Sequence, residues 1–326
     1  MGRWAKVSRL PPTVYVDALW HHRFAVTITL EIQAPGMSVN IQLMSDLHLE
    51  VHPHFVPTRA TAADLLVLAG DIGSYQAGSR ITDSDFGLAR FSPLHGWPTP
   101  VIFVPGNHEY DTLDFDATHT RLREICQRLG IVWLEREVVT LRELIGPRLA
   151  NGTLTPAVRF VGTTLWTDFD ALAPTEAQAV QPRNPLADQL KARSKAFSAA
   201  NFYLKKAFTT RYGAPFLAEQ VRDQGLMCQA WLRDALNQPF DGTTVAITHF
   251  APSLKSSDPR YGLTPGTAGF CNALDDLLPL AKVWLHGHLH SPSAYVAGGC
   301  RVVSNPLGYV RKNEQAGFQP ECVVRV

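Results

Sequence analysis

Five short apolar runs in this chain each stop just before residues with metal-binding or polar side chains, and this repeated pattern constrains the fold more than any other feature. Val39 to Met44 precedes Asp46 and His48, Leu65 to Ala69 precedes Gly70 and Asp71, and Val101 to Val104 precedes Asn107 and His108. Val245 to Thr248 runs into His249, and Val283 to Leu285 precedes His288 and His290. Runs this short read as buried strands. In α/β sheets ligands gather beyond the carboxyl ends of strands, so five such ends can converge on one site.

Helices are legible between the strands. Leu122, Ile125, Cys126 and Leu129 follow an i, i+3, i+4, i+7 spacing, with Gly130 as the stop and Ile131 to Leu134 resuming a strand. Leu217, Val221, Cys228, Trp231, Leu232 and Leu236 predict a second amphipathic helix, weakened in its middle by Gly225. Val158 to Gly162 predicts another strand, and Tyr295 to Val296, Arg301 to Val303 and Cys322 to Val326 a closing set of short ones. From Thr167 to Gln220 the composition turns Pro-, Ala- and Gln-rich and then helical, Ala187 to Phe208, without any cluster of metal ligands. That stretch reads either as a lid over the site or as a helical pair packed away from it.

Of the 326 residues, 45% are hydrophobic and 18% charged, which excludes a mainly disordered chain. Thirty basic side chains stand against 29 acidic ones, a net charge of +1 that disfavours a nucleic-acid-binding field. Five cysteines, far apart and in no C-x-x-C arrangement, predict neither a disulfide framework nor a cysteine zinc site, and read as reduced and mostly buried. No apolar run is long enough to span a bilayer. Phe24 to Leu30 is too short for a secretory core and is flanked by His21, His22, Arg23 and Glu31, so a cytoplasmic location is expected.

The chemistry lies in five motifs in order: Asp46-Leu47-His48, Gly70-Asp71, Gly106-Asn107-His108-Glu109, His249, and Gly287-His288-Leu289-His290. Carboxylate, imidazole and amide donors at strand ends suit two borderline divalent metals. Any one of these residues alone reads equally well as a cap or a hydrogen-bonded structural residue. Together they do not, because a four-residue match such as Gly-Asn-His-Glu is expected only about 0.002 times in a chain this long.

This set resembles the calcineurin-like metallophosphoesterase superfamily, with its D-x-H, G-D, G-N-H-[DE], later H and G-H-x-H pattern. The resemblance runs from about Val39 to Val326, and Leu165 to Asp168, His249 to Pro252 and Asn305 to Tyr309 look like its small bacterial members. It implies an α/β fold of two mixed β-sheets packed as a sandwich and flanked by helices in four layers. One catalytic domain, 37–326, is expected to carry a helical insertion at about 167–220 and to follow an N-terminal extension, 1–36, that holds no motif residue. By the resemblance, Asp46, His48 and His290 hold one metal, and Asn107, His249 and His288 the other. Asp71 bridges, and His108 faces the leaving group as general acid or charge stabiliser.

The implied cofactors are two divalent ions drawn from manganese, iron and zinc, and the implied activity is hydrolysis of phosphate esters by a metal-activated hydroxide. Phe250 stands where many relatives carry a second histidine, and Leu289 where they carry a smaller or β-branched residue. An apolar wall at Phe250 would favour a bulky or aromatic ester, hence phosphodiesters, cyclic nucleotides included, over alkyl monoesters. The alternatives are a phosphomonoesterase or protein phosphatase, and a non-catalytic scaffold of the same fold, which retention of every ligand type and of His108 disfavours. A nuclease is disfavoured by the near-neutral charge and by the lack of a basic, aromatic-interleaved tract. The expected partner is therefore a phosphate ester, with no membrane and no nucleic acid.

Overall fold

The computed structural model describes residues 38–149, 152–173 and 185–326. The expected extension over residues 1–36, with its apolar stretch Phe24 to Leu30, lies outside the described residues.

The five motif-bearing runs form strands β1 (Asn40–Met44), β2 (Leu65–Ala69), β3 (Val101–Val104), β9 (Thr243–Thr248) and β10 (Val283–His286). They are divided between two mixed sheets. The first has the order β13-β1-β2-β3-β4, with β4 at Val132–Trp133 and β13 at Val323–Arg325. The second has the order β11-β12-β10-β9-β6-β5, with β5 at Glu137–Thr140, β6 at Val158–Thr163, β11 at Ser293–Ala297 and β12 at Cys300–Ser304. Inner strands pair in parallel, whereas β13, β11 and β5 pair antiparallel at the edges.

Alternation along each strand explains the near-continuous apolar runs, because both faces are buried. Ile41, Leu43, Leu65, Val67, Ile102 and Val104 meet Val158, Phe160, Val245, Ile247, Val283 and Leu285 in one cluster, the interior of the sandwich. Their neighbours Met44, Leu66, Leu68, Phe103, Val161, Ala246 and Trp284 belong to a second cluster with the helices. Helix α1 (Phe115–Leu129) packs beside β4 and helix α4 (Ala218–Asn237) on β6, giving the outer layers. The sandwich and its flanking helices are thus the four layers expected.

Local rules set the helix ends. Asp114 accepts the Ala117 amide at 3.1 Å at the start of α1, and Gly130 closes it in the left-handed conformation at φ 67°. Gly225 has a different role from the one its propensity suggests. A Cβ there would come within 2.4 Å of the Thr167 carbonyl oxygen, so the glycine lets α4 lie directly on the Trp166–Thr167 backbone.

The closing set of strands is split by topology: β11 and β12 extend the second sheet, while β13 crosses to pair with β1 in the first. With β13 on one side and β2 on the other, β1 is hydrogen-bonded along both edges. The short helix α2 (Leu141–Ile145), with its Thr140–Glu143 capping box, and strand β5 have no counterpart in the sequence reading. Helix α3 (Pro185–Ala207) packs on α4 and on the 3₁₀ turn Pro265–Gly269. Strands β7 (Thr210–Arg211) and β8 (Ala214–Pro215) form a hairpin between α3 and α4.

Candidate metal centre

All seven side chains that the sequence singled out as ligands meet beyond the carboxyl ends of the strands. Ligand atoms of Asp46, His48, Asp71 and His290 lie within 4.8 Å of one another, as do those of Asp71, His249 and His288, so Asp71 belongs to both groups. The amide oxygen of Asn107 joins the second group, 3.2 Å from His249 Nε2.

The backbone bends sharply to aim these groups. Asp46, His48, Asp71, His288 and His290 all have positive φ, between 46° and 73°, a region that β-carbon-bearing residues seldom enter. The motif glycines make room beside them: a Cβ on Gly106 would lie 2.1 Å from Asp71 Oδ1, and one on Gly70 2.3 Å from His249 Nδ1.

Hydrogen bonds behind the site fix which ring nitrogens carry protons. His48 Nδ1 faces Glu50 Oε1 at 3.0 Å, His290 Nδ1 faces Glu314 Oε2 at 2.7 Å, and His249 Nδ1 faces the Ala69 carbonyl at 2.8 Å. In each case the partner is an acceptor, so Nδ1 holds a proton and Nε2 is the nitrogen turned to the site, a lone pair once any proton there is displaced. Those lone pairs converge on other acceptors. The Nε2 atoms of His48 and His290 are 3.0 Å apart, and His249 Nε2 lies 3.2 Å from Asp71 Oδ2 and from His288 Nδ1. Asp71 Oδ2 and His288 Nε2 are buried with no hydrogen-bond partner. Acceptors packed this closely need a proton or a cation between them, and nitrogen with oxygen is the donor set of a borderline divalent ion.

Titration follows the same logic. Burial alone would raise Asp71, but the surrounding imidazoles, His249 foremost, hold it well below the usual carboxylate range. Burial would lower His249 and His290; Asp71 pushes the first up to about 9, and Asp46 with Glu314 does the same for the second. His288 is driven down by burial and by the neighbouring His249.

His108 stands apart from the acceptor clusters. Its amide donates to Asp71 Oδ1 at 2.8 Å, its ring Nδ1 meets Asp111 Oδ2 at 2.6 Å, and its side chain keeps 28% of its surface in solvent. Burial would lower it, but Asp111 and then Asp71 hold it well above the ordinary histidine value. Ser74 Oγ donates to the same Asp111 oxygen at 3.1 Å. Glu109 belongs to neither group of metal-binding atoms. Fully buried, it accepts the backbone amides of Asp71, Ile72, Gly73 and Gly106 at 2.6 to 3.4 Å and so locks the β2 and β3 loops together.

The sequence reading missed Glu50, Asp111, Glu314 and Tyr309. Glu50 had a signal, two residues after His48, but Glu314 and Tyr309 reach the site from a distant loop. Tyr309 stacks on the His48 ring at 4.3 Å and donates its amide to Glu314. His286 is no ligand: it is buried, with ring contacts to Ser256 Oγ and the Gly287 carbonyl, both at 3.0 Å. Phe250 does not line the site as expected. Only 3% exposed, it wedges behind His288 against Trp166, its ring centroid 3.9 Å from that of His288 and 5.5 Å from that of His249. Phe270 is the aromatic ring that reaches the surface here, 41% exposed and 5.4 Å from the His288 ring.

Fold and site together define a metal-dependent phosphoesterase, a hydrolase. The chain belongs to the calcineurin-like phosphoesterase family, whose model matches residues 40–292. It is 22% identical over 279 residues to uncharacterized protein L509 of Acanthamoeba polyphaga mimivirus, covering 80% of this chain and 83% of that one. Among solved structures it is similar to the phosphopantetheinyl hydrolase PptH of Mycobacterium tuberculosis, with a TM-score of 0.62 and 19% identity over 89% of this chain and 96% of that one. A dimetal phosphatase from Danio rerio aligns over 88% of this chain at 13% identity and a TM-score of 0.42. Among the described residues no helix is long and apolar enough to cross a membrane.

Proposed function

We propose that this protein hydrolyses phosphate esters at a pair of divalent metal ions, with phosphodiesters preferred to simple alkyl monoesters. The observation that carries the reading is the convergence of acceptor atoms at two adjoining points sharing Asp71. In this reading Asp46, His48 and His290 hold one ion, Asn107, His249 and His288 the other, and Asp71 bridges them. Such a pair supplies Lewis acidity at phosphorus and a water acidified towards neutral pH.

The chain's own residues do the rest. Asp71 is the carboxylate that can bind both ions, since one imidazole lone pair cannot. His108, held by Asp111 and open to solvent, is placed to give its ring proton to the departing ester oxygen. Glu109 keeps Asp71 and the Asn107–His108 loop in register. A diester preference is supported by the exposed Phe270 ring beside His288, an apolar contact for a second ester group. Free cysteines, four of them buried, accord with a reducing cytoplasm.

The test is a screen of purified protein, stripped and reloaded with manganese, zinc or iron, against mono-, di- and cyclic phosphate esters. Turnover that requires metal and is faster on aryl or nucleoside diesters is expected. Metal-independent turnover would overturn the metal reading, and faster turnover of alkyl monoesters the diester preference.

A further inference from the structure

Beside the metal centre, between α3 and the 3₁₀ turn Pro265–Gly269, lies an open cleft of about 550 Å³ lined by Ser194, Lys195, Ser198, Tyr203, Thr264 and Phe270. Phe270 links it to the site, since this ring lines the cleft and its centroid lies 5.4 Å from that of the His288 ring. Its lining is chemically mixed. Phe270 and Tyr203, 41% and 62% exposed, offer ring faces, while Ser194, Ser198 and Thr264 offer hydroxyls. Arg193 is clamped by Asp170 at 2.6 to 2.8 Å, whereas Lys195 makes no ion pair among the described residues.

We infer that this cleft receives the organic group esterified to the phosphate, a ring-bearing polar group of nucleoside size. The inference rests on the hydrolytic reading for the phosphate's position and goes beyond it in assigning the specificity of the substrate to α3. Three observations converge. The cleft is wide enough to receive one face of a small organic group while its other face stays in solvent. Exposed rings at its end and side suit stacking on a flat group, and the Lys195 ammonium, without an ion pair among the described residues, suits its polar edge together with three hydroxyls. Phe270, which lines the cleft and neighbours His288, sets such a group on the side of the site where the second proposed ion would lie.

The experiment compares binding of thymidine 5′-monophosphate and inorganic phosphate to the manganese-loaded protein by calorimetry, with metal content and melting temperature measured for every variant. In the wild type the nucleotide should bind about tenfold or more tighter than phosphate. Ser198→Trp, which fills the cleft from an exposed helix position, should bring that ratio close to one, and Lys195→Glu should lower it. Equal binding of both ligands by the wild type, or an unchanged ratio in both variants, would overturn the inference. Protein that hydrolyses esters yet binds both ligands equally sinks the cleft and leaves the enzyme. Protein that favours the nucleotide but hydrolyses nothing sinks the enzyme and leaves the cleft.

Discussion

Glu314 Oε2 lies 2.7 Å from His290 Nδ1 and accepts the Tyr309 amide with the same oxygen at 2.8 Å. His290 holds Glu314 down to about 2 against the effect of burial, so the carboxylate stays ionised and orients the ring at any physiological pH. Partners behind metal-ligating histidines typically contribute about 10 to 100-fold in metal affinity. Glu314→Gln should therefore weaken binding of one ion by that factor and leave the fold intact. Dialysis against a metal buffer, followed by elemental analysis, checks it; unchanged occupancy would remove Glu314 from the site.

Asp71 and His108 are joined by an amide-to-carboxylate hydrogen bond yet should fail differently. Asp71→Ala removes the group shared by both proposed ions, and metal content should fall at both. His108→Ala should keep both ions and lose ~10² to 10⁴ in turnover, the usual contribution of a positioned acid. Asp111→Asn should follow His108 rather than Asp71. Loss of metal from His108→Ala with retention in Asp71→Ala would reverse the roles.

Metal-free and metal-loaded protein should respond oppositely to pH. His249 and His290, raised to about 9 in the fold, are near 6.5 when unfolded. A raised folded value means that their stabilising contribution is complete below about 6.5 and is lost as pH rises towards about 9. Stripped protein should accordingly lose melting temperature across that window. Metal must displace those protons, so its affinity should rise over the same window. Calorimetry in buffers of different ionisation enthalpy at pH 7 should show proton release on manganese binding; none would contradict the assignment.

Gly225→Ala sets two effects against each other. In an exposed helix interior the change should stabilise by about 1 kcal/mol. Here the added methyl meets the Thr167 carbonyl at 2.4 Å, and overpacking of that kind costs about 1 to 3 kcal/mol. A lower melting temperature is expected, and a rise would show that α4 can move off the loop.

The sheets and the converging residues were legible because apolar runs and chemistry-bearing types share the same short segments. The grouping of Asp46 and His48 with His290 rests on the family resemblance, because β1 and β10 lie in different sheets and strand ends alone do not say which residues share an ion. Glu314 was not legible: it acts through a loop that folds back on β1, as the Gly308 amide to Asp46 carbonyl bond shows, and no periodicity records that return. Phe250 failed for a related reason. Its adjacency to His249 suggested an exposed pocket wall, but its ring is covered by those of His249, His288 and Trp166, a burial that local pattern does not record. The placement of β13 beside β1 rests on pairing across nearly the whole chain, which local pattern does not encode.

Five of the site's residues sit in left-handed backbone that only glycine enters without steric cost. The architecture thus opposes heat resistance to catalysis. If each such residue stores about 1 to 3 kcal/mol, glycine relieves that strain at least cost at position 288, where the ring nitrogen Nε2 is buried without a hydrogen-bond partner, while deleting a proposed ligand. A laboratory lineage propagated for thermal survival alone should erode position 288 first, and it would lose the enzyme in the course of improving the protein.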